Sequence, residues 1–109
     1  MGYRSDLVIA IRKSVLAQDL INPTIPSIIK ELNTASTDDA VYYFIEQWKW
    51  YESYPDIREI EEWFDSMDYE DFGAMRIGED DNDTQTWGSP YEFEIYLSRT
   101  ISAPVYNPD

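Results

Sequence analysis

The chain has 109 residues, 43% hydrophobic and 16% aromatic, enough for one folded domain and too apolar for disorder. It has no Cys and no His. This removes disulfides, thiolate zinc sites and thiol nucleophiles, along with the commonest general base and transition-metal ligand. Acidic residues number 22 against 8 basic ones, a net charge of −14, which argues against nucleic acid or an anionic membrane as direct ligand, since both need a basic footprint.

Residues 3–11 alternate, with Tyr3, Ser5, Leu7, Ile9 and Ile11 on one face and Arg4, Asp6, Val8 and Ala10 on the other. Period two with β-branched residues predicts a strand. The apolar run Leu7–Ile11 is too short for a membrane span or a signal peptide. Gly2 followed by Asp6 does not meet the myristoylation pattern. Asn22-Pro23 reads as a helix start, and Ile25, Ile28, Ile29 and Leu32 follow at helical spacing, so residues 23–33 are expected to be helical. Residues 33–39 read as a polar linker.

Residues 40–51 are rich in Val, Tyr, Phe, Ile and Trp, which suit a strand. Strict alternation would place Tyr42, Phe44, Trp48 and Trp50 on one face, and Val41, Tyr43, Ile45, Lys49 and Tyr51 on the other. Pro55 opens a second helix with the apolar stripe Ile57, Ile60, Phe64 and Met67. A short strand is expected over 72–77, a loop over 78–90, and a final strand carrying Tyr91, Phe93, Ile95, Leu97 and Ile101 that pairs with the strand before the loop. The order β-α-β-α-β-β predicts an α+β domain over residues 1–103, with about four mostly antiparallel strands in one sheet and two helices on one face. Residues 104–109, with two prolines, read as a frayed tail.

The opening Met1-Gly2-Tyr3-Arg4-Ser5-Asp6, the stretch Trp48-Lys49-Trp50-Tyr51-Glu52-Ser53-Tyr54-Pro55 and the run Arg76-Ile77-Gly78-Glu79-Asp80 resemble a group of short tailed-bacteriophage proteins over most of the chain. The resemblance brings no activity and no functional residue. It implies an accessory protein in the cytoplasm of an infected bacterial host, a setting compatible with the absence of Cys.

The acidic residues are unevenly placed. Residues 1–37 carry a net charge of +1 and residues 38–109 a net charge of −15. The candidate partner-binding residues are Glu59, Glu61, Glu62 and Asp65 on the second helix and Asp68, Glu70 and Asp71 after it. Glu79, Asp80, Asp81 and Asp83 in the loop complete the acidic set, and Trp87 is added as an exposed aromatic anchor. Self-repulsion at this density destabilises a compact state. It is explained either by solubility alone or by docking on a basic groove, where carboxylates imitate nucleic-acid phosphates. The expected partner is then a basic host protein that handles nucleic acid or serves in defence. The alternative is a homodimer or scaffold that uses an aromatic sheet face, drawn from Tyr42, Tyr43, Phe44, Trp48, Trp50, Tyr51 and Tyr54, left open to water.

Asp81, Asp83, Gln85 and Glu92 fall at positions one, three, five and twelve of a calcium loop, but Thr86 stands where the turn needs Gly. No dedicated metal or cofactor site is therefore expected. With no nucleophile motif and no phosphate-cradling Gly loop, the chain does not read as an enzyme.

Overall fold

The structure is a computed structural model that describes residues 4–19, 25–51, 54–79, 83–98 and 100–105. It is an α+β domain. Its main sheet holds β1 (Arg4–Arg12), β2 (Asn33–Ser36), β3 (Ala40–Lys49), β4 (Phe72–Gly78) and β5 (Thr84–Gly88), in the order β2-β3-β1-β4-β5 with every pair antiparallel. The helices are α1 (Lys13–Asp19), α2 (Ser27–Lys30) and α3 (Pro55–Ser66). A 3₁₀ helix (Pro90–Phe93) and the hairpin of β6 (Tyr96–Ser98) and β7 (Thr100–Ser102) follow. Among the described residues no helix is long and apolar enough to cross a membrane.

β1 is the central strand, which explains its apolar run. Leu7, Ile9 and Ile11 face the helices, where they meet Ile45, Ile57, Ile60 and Phe64. Val8 and Ala10 face the other way and are buried with Tyr42, Met75, Phe93 and Ile95. α3 is held by Ile57, Ile60, Trp63 and Phe64, each contributing about 2 kcal/mol through burial. Phe64 stacks on Phe72 of β4 and lies 5.1 Å from the Trp87 ring of β5, so α3 covers that half of the sheet. Met67, the last residue of the expected stripe, is the C-cap and packs half-buried against the same cluster.

The structure corrects several of the sequence expectations. Of the helix expected over 23–33, the described residues 25–33 are helical only at Ser27–Lys30, after which the polar segment Asn33–Ser36 pairs with β3 as an edge strand; residues 22–24, with the expected start at Asn22-Pro23, lie outside the described residues. β2 carries no hydrophobic pattern because its main chain, not its side chains, joins it to the sheet.

In β3 a bulge breaks the alternation. Ser5 pairs with Trp48 but Leu7 with Ile45, so Glu46 and Gln47 together oppose Asp6. Gln47 adopts a left-handed φ of 58°. Its N–H donates to Asp6 Oδ1 at 2.9 Å, and its carbonyl accepts from Arg4 Nη1 at 2.9 Å. The extra residue turns Trp48 and Trp50 to the helix side, away from Tyr42 and Phe44.

The loop expected over 78–90 contains β5, and β5 is the hairpin partner of β4. The strand expected from Tyr91 is replaced by the 3₁₀ helix, closed by Glu94 in the left-handed region at φ 58°. That segment and β7 lie over the second sheet face, so the aromatic face expected to be open is covered: Tyr42 is 2% exposed and Phe93 4%. The Tyr42 hydroxyl donates to Phe93 O at 2.7 Å. Of the tail expected to fray, Val105 packs partly buried against this second cluster, and residues 106–109 lie outside the described residues.

Burial, and then the nearby Glu94 carboxylate, raise the Tyr42 pKa above its ordinary value of 10.0. The folded chain therefore holds this proton at pH values where the unfolded chain has released it. The resulting stabilisation is complete below the unfolded value and is lost as pH rises through the folded one. Urea midpoints measured from about pH 9 upward are expected to fall more steeply in the wild type than in Tyr42→Phe. Parallel slopes would refute this coupling.

Candidate protein-binding surface

The buried stripe of α3 sets the opposite face of the helix to solvent. Glu59, Glu62 and Asp65 are exposed there, with Glu61 half-buried beside them. Arg58, Glu61, Glu62 and Asp65 line a shallow depression on this face. Asp56 suits the first turn, but the last turn has no basic residue, so Asp65 opposes the helix dipole. Glu59, Glu62 and Asp65 form no ion pair with any described residue. Their spacing of three brings neighbouring Cβ atoms to about 5–6 Å, and charges held that close repel in the free protein.

The remaining candidates divide. Asp68 and Glu70 are exposed and Asp71 is half-buried in the turn after α3. This turn sits at the Arg12 end of β1, where Arg12 donates from its main chain to Asp71 O and from Nε to Glu70 O. Glu79 is at the other end, its Oε1 accepting from the Arg4 N–H at 2.9 Å. The seven-residue strand β4 separates the two groups, roughly 20 Å of extended chain. The acids of the turn and Glu79 therefore do not form one site. Asp80 and Asp81 lie outside the described residues.

Asp83 is already engaged. Its carboxylate takes Arg76 Nη2 at 2.6 Å, while Arg76 Nε donates to Gln85 Oε1 and Nη1 to Ser5 Oγ, both at 2.7 Å. Two of the four calcium-loop positions thus hold a guanidinium, and Glu92 lies against Arg12 at 3.8 Å. Among the described residues no group of three or more candidate ligands could hold a metal ion.

Trp87 is not an exposed loop anchor. It sits in β5, half-buried, with its ring 5.9 Å from Trp50, whose buried Nε1 finds no acceptor among the described residues. Among the exposed large hydrophobics are Tyr54, Tyr69, Tyr91 and Tyr96; of the aromatic cluster expected on the surface, Tyr54 alone is in that set.

No known protein family, curated protein or solved structure matches the chain. The surface is therefore read from its own chemistry. One cleft was missed by the sequence reading. Asp38 and Asp39, in the turn between β2 and β3, meet Glu92 and Glu94 around Tyr42, with Arg12 as the basic residue among its lining. The Arg12 guanidinium lies 4.8 Å from the centroid of the Phe93 ring. Residues more than fifty positions apart build it, so only the packing of the 3₁₀ helix over the second sheet face could have shown it.

Proposed function

We propose that this chain is an interaction protein that presents the carboxylates of α3 to the basic surface of a nucleic-acid-handling protein, where they take the place of phosphates. The observation that carries the reading is the row Glu59, Glu62 and Asp65, exposed and without a described ionic partner on a helix anchored by four buried side chains. A rigid row loses little conformational freedom on binding, and a basic partner relieves its self-repulsion. Successive charges rise about 4.5 Å along the helix axis, against an axial rise of about 3.4 Å per phosphate on one DNA strand. The resemblance to short phage proteins adds a setting: an inhibitor or adaptor acting in the cytoplasm of an infected bacterium. In this reading the chain binds and does not catalyse.

The test is capture from bacterial lysate on the immobilised full chain at low ionic strength, followed by a salt gradient. A basic nucleic-acid-binding protein is expected to be retained, released by salt and displaced by duplex DNA. Replacing Glu59, Glu62 and Asp65 together by Lys is expected to weaken retention by about a hundredfold, as charge-charge repulsion replaces attraction. Retention indifferent to salt and to this triple variant would overturn phosphate imitation by α3.

A further inference from the structure

The main sheet ends on β5, and its hydrogen bonds show which way the main chain faces. Gly78 N–H donates to Asp83 O at 2.8 Å, and Ser89 N–H donates to Phe72 O at 2.9 Å. The unbroken register between them pairs Ile77 with Thr84, Arg76 with Gln85, Met75 with Thr86 and Ala74 with Trp87. Bonded pairs alternate along an antiparallel ladder. Gln85 and Trp87 therefore bond to β4, while Thr84 and Thr86 turn their N–H and C=O groups outward. Both threonines are exposed, and no described group pairs with those outward atoms.

Natural edge strands are usually guarded by charge, proline or a bulge. Thr84-Gln85-Thr86-Trp87 has none of these, and threonine favours the extended chain. The edge is also held rigid. Arg76 ties Asp83 and Gln85 at its start, and Trp87 packs against Phe64 and Trp50 near its end. We propose that β5 is a docking edge for an extended, Lys- or Arg-bearing segment of a partner protein, which adds to the sheet as a sixth strand. This assignment rests on the basic partner proposed above and adds a separate way of engaging it.

Charge selects the occupant. A second copy would bring another −14 to the same edge, whereas a basic segment is drawn to it. Charge also separates β5 from the opposite edge by degree: β5 follows a run of four acids, Glu79, Asp80, Asp81 and Asp83, whereas two, Asp38 and Asp39, follow β2.

The test is amide hydrogen exchange on the full chain at low ionic strength, with a synthetic peptide of alternating Lys and Thr as probe. Exchange at Thr84 and Thr86 is expected to slow by about tenfold or more, the worth of one or two added hydrogen bonds, with Thr34 and Ser36 of β2 unchanged. A peptide of equal charge with proline at alternate positions is expected to leave Thr84 and Thr86 unprotected. Thr86→Pro removes an N–H that no strand uses and is expected to keep the fold but weaken the peptide about tenfold. Thr34→Pro on the other edge is expected to change nothing. If the peptide binds and perturbs α3 alone, edge docking is overturned and the role of α3 stands. Slowing that grows with protein concentration without peptide would assign the edge to a second copy and overturn the basic segment. Absence of any binding at millimolar peptide would count against both readings.

Discussion

Alanine at Gly73 is expected to lower the unfolding free energy by about 3 kcal/mol, the upper end for overpacking a closed site. Gly73 lies in β4 where the chain returns as the 3₁₀ helix. A Cβ there would sit 2.6 Å from Pro90 Cα, 2.8 Å from Pro90 N and 2.9 Å from Ser89 C. All three are main-chain atoms, so no side-chain rotation makes room. Moving the 3₁₀ helix away would open the cluster it helps to build, in which Phe93 and Ile95 close over Val8, Ala10 and Met75. Gly88 guards the same corner from the other strand, with a φ of +64° and a would-be Cβ against Phe72 O. Urea denaturation of Gly73→Ala is expected to show a lower midpoint with an unchanged slope, because the fold is weakened and not replaced. A loss under about 1 kcal/mol would mean that the 3₁₀ helix shifts freely and does not seal the second face.

The sequence made some of this legible and hid the rest for physical reasons. β1 and α3 were readable because their apolar residues are also the buried ones: the run from Leu7 to Ile11 in one, Ile57, Ile60 and Phe64 at helical spacing in the other. β2 and β5 were not, since an edge strand of Thr, Ser, Asn and Gln is defined by main-chain pairing that leaves no hydrophobic signal. The bulge at Gln47 was equally silent. It depends on Asp6, forty-one positions earlier, offering its carboxylate to an N–H left over by the extra residue. The misplacement of Trp48 and Trp50 follows from that extra residue. Among the candidate acids, the exposed row on α3 was legible from helical spacing. The ion pair of Asp83 with the buried Arg76 was hidden until β4 and β5 were paired, because only that pairing sets the two side by side.

That ion pair yields the second large effect. Asp83→Ala is expected to cost about 2–3 kcal/mol, at or below the lower end for breaking a buried pair because the carboxylate is partly hydrated. Arg76 has a side chain only 6% exposed, against 35% for Asp83. Without the carboxylate, the guanidinium keeps Ser5 Oγ and Gln85 Oε1 but has no counter-charge among the described residues. Replacing both members, with Arg76→Met and Asp83→Thr, removes the stranded charge and is expected to cost less than Asp83→Ala alone, about 1 kcal/mol. A double-mutant cycle in urea is expected to give a coupling of about 1–3 kcal/mol. Salt separates this pair from the acids of α3: screening acts strongly on exposed charges and weakly on a buried guanidinium. The penalty of Asp83→Ala should therefore persist at high ionic strength, where charge reversal on α3 loses its effect. A penalty that disappeared with salt would show that water reaches Arg76, and with it that the start of β5 is looser than its docking role requires.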